Sequence, residues 1–124
     1  MPNVSKRPLK EHKEFFLPDL MAGWENIPGY PPGIKQKILA GWLNEPARKG
    51  SRTRLLRFDP GAFTTVPFEH EHWEEVYLLS GTLEVGGQSF GPDTYACRPP
   101  HVPHGPFRSD TGCMLFEIHY FSES

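Results

Sequence analysis

Proline and glycine interrupt this chain so often that it cannot build long helices. Its 124 residues include 14 prolines and 12 glycines, and the apolar runs between them are strand-sized. Proline inside a helix removes a hydrogen bond and clashes with the preceding turn, and glycine there gives up backbone entropy. The expectation is many turns, short strands and little helix. The length is that of one domain, able to bury roughly two-thirds of its unfolded surface. No internal repeat is present.

Taken in order, residues 1 to 14 are polar and basic and read as a mobile tail. Phe15, Phe16, Leu17, Leu20, Met21 and Trp24 follow among prolines and glycines. This segment is too broken for a helix and too apolar to stay free. It is read as an N-terminal arm over residues 1–33, packed either on its own barrel or on a second subunit, and residues 34–124 as the barrel. Alternation over residues 34 to 43 marks a strand, and residues 53 to 58 mark the next, closed by Asp59-Pro60-Gly61. Within it Arg54 and Leu56 share one face, which places an arginine to point towards the barrel mouth. Gly86-Gly87 signals a hairpin between two further strands. Tyr95 to Arg98 is a short strand, and Pro99-Pro100 ends its pairing. In the last strand Met114, Phe116, Ile118 and Tyr120 form the more apolar set and are expected to face the core, leaving His119 at the surface. The sum is eight or so short antiparallel strands, an all-β jelly-roll barrel.

Residues 69 to 75 carry two histidines and four glutamates. Imidazoles and carboxylates crowded this closely are best reconciled by a divalent cation. On an extended chain His70 and His72 would present both rings to one face. His104, approached through the proline turn, can swing inward to join them. Histidines and carboxylates with no thiolate suit Fe, Mn, Ni, Co or Zn. The formal charge of −2 and a pI near 6.3 give no case for nucleic acid or an anionic membrane. Cys97 and Cys113 lack paired spacing and are read as buried, reduced thiols. No apolar run is long enough to span a bilayer and no secretory leader is read before Ser5-Lys6-Arg7, so a cytoplasmic location is expected.

Two stretches together resemble the paired motifs of the cupin family. Gly61, His70, His72, Glu74 and Gly81 match the first, with the family's six residues between Glu74 and Gly81; Gly91, Pro99 and His104 match the second, with His101 where a glycine is usual. The resemblance covers about residues 52 to 121. It implies a cupin-type double-stranded β-helix barrel in which His70, His72, Glu74 and His104 bind a divalent metal. The spacing departs in one place, since Trp73 alone separates His72 from Glu74 where the family has three or four residues. Either Glu75 is the ligand, or the turn tightens. A third register gives His70 the second-histidine position and puts Phe68 at the first, reducing the set to His70, Glu74 and His104. Family spacing to Gly81 favours Glu74 over Glu75, and alternation then turns Val76 and Leu78 inward. His101 is read either as a base near the metal or as an exposed residue at the barrel mouth.

Two functions are consistent with this resemblance. One is a metal-dependent enzyme on a small oxygen-bearing molecule, most of all a dioxygenase, with a lyase or isomerase in the same class. The other is a metal- or ligand-sensing module without turnover, similar to anti-sigma sensor cupins. A homodimer built on strand edges and the arm is expected for either.

Overall fold

The computed structural model describes residues 10–121, all of them strand, turn or loop with no helix. A six-stranded antiparallel sheet runs in the order β1 (Glu25–Asn26), β2 (Ile34–Asn44), β3 (Lys49–Phe58), β10 (Cys113–Tyr120), β5 (Trp73–Gly81), β8 (Tyr95–Arg98). A four-stranded sheet runs β4 (Ala62–Phe63), β9 (Phe107–Ser109), β6 (Leu83–Val85), β7 (Gln88–Phe90). The two sheets face each other as the expected jelly roll. Strands β2 and β3 reach further than alternation suggested, pairing up to Asn44 opposite Lys49. The Gly86-Gly87 hairpin and the Tyr95–Arg98 strand lie where they were read.

The core is filled from both sheets. Ile34, Leu56, Phe58, Val76, Leu78, Leu83, Cys113 and Leu115 pack together, with Ile27 closing one end. Each aliphatic side chain so buried stabilises the fold by ~1.5–3 kcal/mol. On β5 the inward set is Glu74, Val76 and Leu78, while Tyr77 and Leu79 are exposed, so the register that favoured Glu74 is the one observed.

The last strand faces the opposite way to the expectation. Cys113, Leu115, Glu117 and His119 are buried, and Met114, Phe116, Ile118 and Tyr120 form the outer, half-covered face. The physical reason is pairing. β10 lies between β3 and β5, and its two polar inward residues meet Arg54, Arg52 and Glu74 there. The Cys97 thiol is exposed, contrary to expectation, while Cys113 is buried as read.

Most of the expected tail, residues 1–9, lies outside the described residues. The described part of that tail is tied to the sheet rather than free: Lys10 Nζ donates to Thr53 Oγ1 at 2.7 Å, and Gly41 N donates to Glu11 Oε1 at 2.6 Å. His12 is solvated and meets Glu14. In the arm, Trp24 takes the cations of Arg57 and Lys37 over its ring, whereas Phe15, Leu17 and Met21 are fully or almost fully exposed.

Gly81 ends β5 at φ +79°, and a Cβ there would lie 2.0 Å from the Gly112 carbonyl oxygen. Gly87 has a similar φ of +88° with nothing within 4 Å of its virtual Cβ. Gly87→Ala should therefore cost only the left-handed backbone penalty, about 1–2 kcal/mol. Gly81→Ala adds a backbone collision, and a loss of roughly 3 kcal/mol or more is expected. Urea unfolding of the two variants beside wild type measures the difference.

Candidate metal centre

Three side chains from three parts of the fold converge at one end of the barrel. Glu74 enters on β5, His70 from the bend before that strand, and His104 from the loop before β9. His104 is held by a two-way backbone pair with Phe68, Phe68 N to His104 O at 2.8 Å and His104 N to Phe68 O at 2.9 Å. Potential ligand atoms of His70, Glu74 and His104 all lie within 4.8 Å of one another. His104 Nδ1 lies 3.1 Å from the Val102 carbonyl oxygen, which can only accept, so Nδ1 carries the hydrogen. Its Nε2 lone pair is left facing Glu74 Oε1 at 3.8 Å. His70 Nε2 stands 3.9 Å from Glu74 Oε2. Burial, helped by the neighbouring His104 and His119, holds the His70 imidazole below its ordinary pKa and hence neutral, the state a ligand needs.

The carboxylate is itself held from behind. Arg98 Nη1 donates to Glu74 Oε1 at 2.9 Å, and His119 Nε2 lies 3.2 Å from Oε2. Arg52 donates to His119 Nδ1 from Nε at 3.1 Å and Nη2 at 2.8 Å. That nitrogen must therefore accept, which puts the imidazole hydrogen on Nε2, pointed at the carboxylates of Glu74 and Glu117. Burial and the Glu117 charge push the Glu74 carboxyl up, but His119 and His104 outweigh them and it stays below its ordinary pKa, ionised. Glu117 pairs with Arg54 at 2.9 Å, with side chains 6% and 3% exposed. Burial opposes its charge too, and Arg54 and His119 hold it well below the usual carboxylate range. Glu74, Glu117 and His119 form a second group with ligand atoms within 4.8 Å. With its hydrogen on Nε2, His119 offers no lone pair to a cation there, and that nitrogen is buried with no hydrogen-bond partner; within the first group the available lone pairs are those of His70 and His104.

The four candidate ligands read from the sequence are thus divided. His70, Glu74 and His104 form one group, and His72 lies next to it with its ligand atoms outside that group. The chain between His70 and His72 is a bend rather than strand, yet the two rings lie side by side. His72 is 2% exposed, stacks between His70 and His119 at ring distances of 4.5 and 4.6 Å, and bonds Trp73 O through Nδ1 at 2.9 Å. Its Nε2 lies 3.8 Å from Glu45 Oε1 and is buried with no hydrogen-bond partner. Burial, helped by the neighbouring His119, lowers its pKa to about 4. Phe68, which the shortened register places at the first-histidine position, stacks on Tyr30 at 4.6 Å beside the cluster.

Glu75 faces outward and accepts from Tyr95 at 2.5 Å and Tyr120 at 2.8 Å, rather than pairing with an arginine. His101 is exposed at the mouth, 3.2 Å from Glu71. Glu117, His119 and Arg52 were missed as site residues. The available signal was cross-strand, since Arg54 on β3 stands directly opposite Glu117 on β10.

One cavity adjoins the cluster and a second meets it at Arg98. The first, about 30 Å³, enough for a single water or ion, lies against Glu74, His104, Glu117, Tyr30 and Phe107. The second, about 240 Å³, continues between the sheets over Val76, Leu78, Leu83, Val85 and Leu115. Arg98 lines both.

Among curated proteins no match is found. Similar solved structures include an RmlC-like cupin from Shewanella frigidimarina, 24% identical over 90% of this chain and 95% of that one, with TM-score 0.66. An acetylacetone dioxygenase from Acinetobacter johnsonii is 15% identical over 100% and 86%, with TM-score 0.67. The Rhodobacter sphaeroides complex of SigE with the anti-sigma ChrR matches at 19% identity over 80% of this chain and 49% of that one, with TM-score 0.59. These likenesses establish the fold. The sequence profile of the ChrR cupin-like domain matches residues 13–121, nearly the whole chain, and the protein belongs to that cupin family.

Proposed function

We propose that His70, Glu74 and His104 hold a divalent metal and that the protein is a metal-dependent dioxygenase acting on a small oxygen-bearing organic molecule. The observation that carries this reading is the convergence of two imidazoles and one ionised carboxylate within 4.8 Å beside a cavity. Two histidines and a carboxylate with open positions are the ligand set of non-haem Fe(II) oxygenases, so iron is the favoured member of the Fe, Mn, Ni, Co and Zn group. Such a metal supplies Lewis acidity and, as iron, electrons for dioxygen chemistry.

The chain's own residues do the rest. His119, steered by Arg52, orients Glu74, a role in which loss of a partner costs 10–100-fold in metal affinity as an order of magnitude. Phe68, Tyr30 and Phe107 wall the cluster and keep water from it. The likeness to an acetylacetone dioxygenase supports the same chemistry.

His104→Ala should lower metal affinity by roughly a hundredfold, beyond the loss of an outer partner, with the barrel still folded. Metal analysis and a melting curve of the variant beside wild type test this, and full occupancy in the variant would remove His104 from the site. Consumption of dioxygen by the iron-loaded protein with candidate diketones then tests turnover.

A second reading is favoured by the family itself and by the likeness to ChrR. It makes the chain a non-catalytic metal or ligand sensor. Tight metal binding with no turnover of any oxygen-bearing substrate would select it.

The arm supports a homodimer. Phe15, Leu17 and Met21 are 107%, 94% and 92% exposed, and covering them needs a second surface. Light scattering should give a dimer mass for the full chain. The variant Phe15→Ser/Leu17→Ser/Met21→Ser should be monomeric, and a monomeric wild type overturns the assignment.

A further inference from the structure

Arg98 stands where the two cavities meet, and orienting Glu74 uses only part of its guanidinium. Nη1 donates to Glu74 Oε1 at 2.9 Å, and among the described residues no other hydrogen bond leaves this side chain. The group has five N–H donors. Its Cζ lies over the Phe107 ring, 5.9 Å from the ring centre. Arg98 also lines the 240 Å³ cavity, whose walls are mostly apolar (Val76, Leu78, Leu83, Val85, Phe90 and Leu115) with Gln88, Thr94 and Tyr95 among them, and Arg98 alone is charged among the described residues lining it.

A cation facing an apolar cavity is costly unless an anion offsets it. At present the offset is Glu74. In the reading proposed above, Glu74 is also the carboxylate of the metal centre, so Arg98 must share it with a second, divalent charge. Glu74 and Arg98 sum to zero, and a divalent cation added to them makes the corner net +2. Arg54 and Glu117 already cancel each other and have nothing to lend. The remaining donors of Arg98, planar and forked, match a carboxylate in two-point contact.

We infer that Arg98 and the apolar cavity beside it form a subsite for a small organic monocarboxylate, whose charge Arg98 binds and whose hydrocarbon body the cavity takes, and that this subsite fills best when the metal centre is loaded. The second clause rests on the metal reading; the first does not. A cavity of about 240 Å³ takes about eight non-hydrogen atoms at the roughly 30 Å³ a molecule of water occupies in the liquid. Hexanoate has that size. Hexanol matches its body without the charge.

The test is calorimetric titration of the full chain with Mn²⁺ alone, and with hexanoate or 1-hexanol in the presence and absence of Mn²⁺. Wild type should bind hexanoate at least about tenfold more tightly with Mn²⁺ present. Saturating hexanoate should tighten Mn²⁺ by the same factor, because coupling is reciprocal. Hexanol should show no such gain. Arg98→Gln should lose at least about tenfold in hexanoate affinity while still binding Mn²⁺. Ala96→Phe, which fills the cavity and leaves the Arg98–Glu74 contact in place, should lose hexanoate binding as well. Equal hexanoate affinity in wild type and Arg98→Gln overturns the subsite, as does hexanol binding as tightly as hexanoate. Failure of Mn²⁺ to bind wild type overturns the metal centre instead. The subsite is then decided in metal-free protein, where a loss of hexanoate affinity in Arg98→Gln supports it and no loss overturns it.

Discussion

Glu74→Gln should lower metal affinity by at least a hundredfold, while Glu75→Gln should leave it within about twofold of wild type. The two positions are adjacent in sequence and opposite in direction. Glu74 is 4% exposed and faces His70, His104 and His119. Glu75 is held on the outer surface by two tyrosine hydroxyls. A neutral amide oxygen is a poorer ligand for hard and borderline cations than a carboxylate. The same change removes the counter-charge of Arg98, which would then repel a cation at the site. Outer-partner losses amount to roughly 10–100-fold, and loss of the anionic ligand itself should exceed them. Titration of both variants with Mn²⁺ or Fe²⁺ reads the result, with melting curves to confirm folding. Equal losses, or the larger loss in Glu75→Gln, would show that Glu74 is not the ligand.

Arg54→Met should destabilise the fold by about 3–5 kcal/mol, the range for breaking a buried ion pair from one side. Arg54 donates from Nε to Glu117 at 2.9 Å and from Nη1 to Gln36 at 2.7 Å. Removing the guanidinium leaves the Glu117 carboxylate buried without its main partner. The double variant Arg54→Met/Glu117→Leu should regain most of the loss, since a buried pair replaced by apolar residues is often neutral. Urea unfolding of the single and double variants measures both. A single variant as stable as wild type would mean that solvent or rearrangement neutralises Glu117 at little cost.

The parts of this site legible in the sequence are those that regular strand geometry governs. Glu74 follows from its distance to Gly81 and from the alternation through Val76 and Leu78, because β5 is continuous over that span. His104 follows from the proline break after β8. His72 does stack beside His70, but the two residues sit on a bend rather than a strand, so alternation is not what places its ring there. The face of β10 was misjudged for a different reason. Sorting by hydropathy puts Glu117 and His119 outside, and only the charges of Arg54 and Arg52, brought alongside by pairing of distant strands, make it favourable to bury them. No local pattern reports that pairing. The arm is an intermediate case: its apolar content was legible, but the separation of a pinned Trp24 from an exposed Phe15 depends on Arg57 and Lys37 reaching it from the sheet.

The position of β10 also bears on how such a chain comes to be folded. It is the last of the described strands in sequence and the one that joins β3 to β5 at the centre of the larger sheet. A nascent chain that has left the ribosome only as far as β9 has two long strands with open hydrogen-bonding edges, and Arg54 has no acidic partner across from it. Open strand edges of this kind are templates for pairing with other chains. Folding is then concluded in one late step, when β10 enters the gap, satisfies both edges and delivers Glu117 to Arg54 and His119 to Glu74 together. Closing the sheet and assembling the proposed metal centre are therefore a single event, and aggregation during synthesis should be most acute just before it.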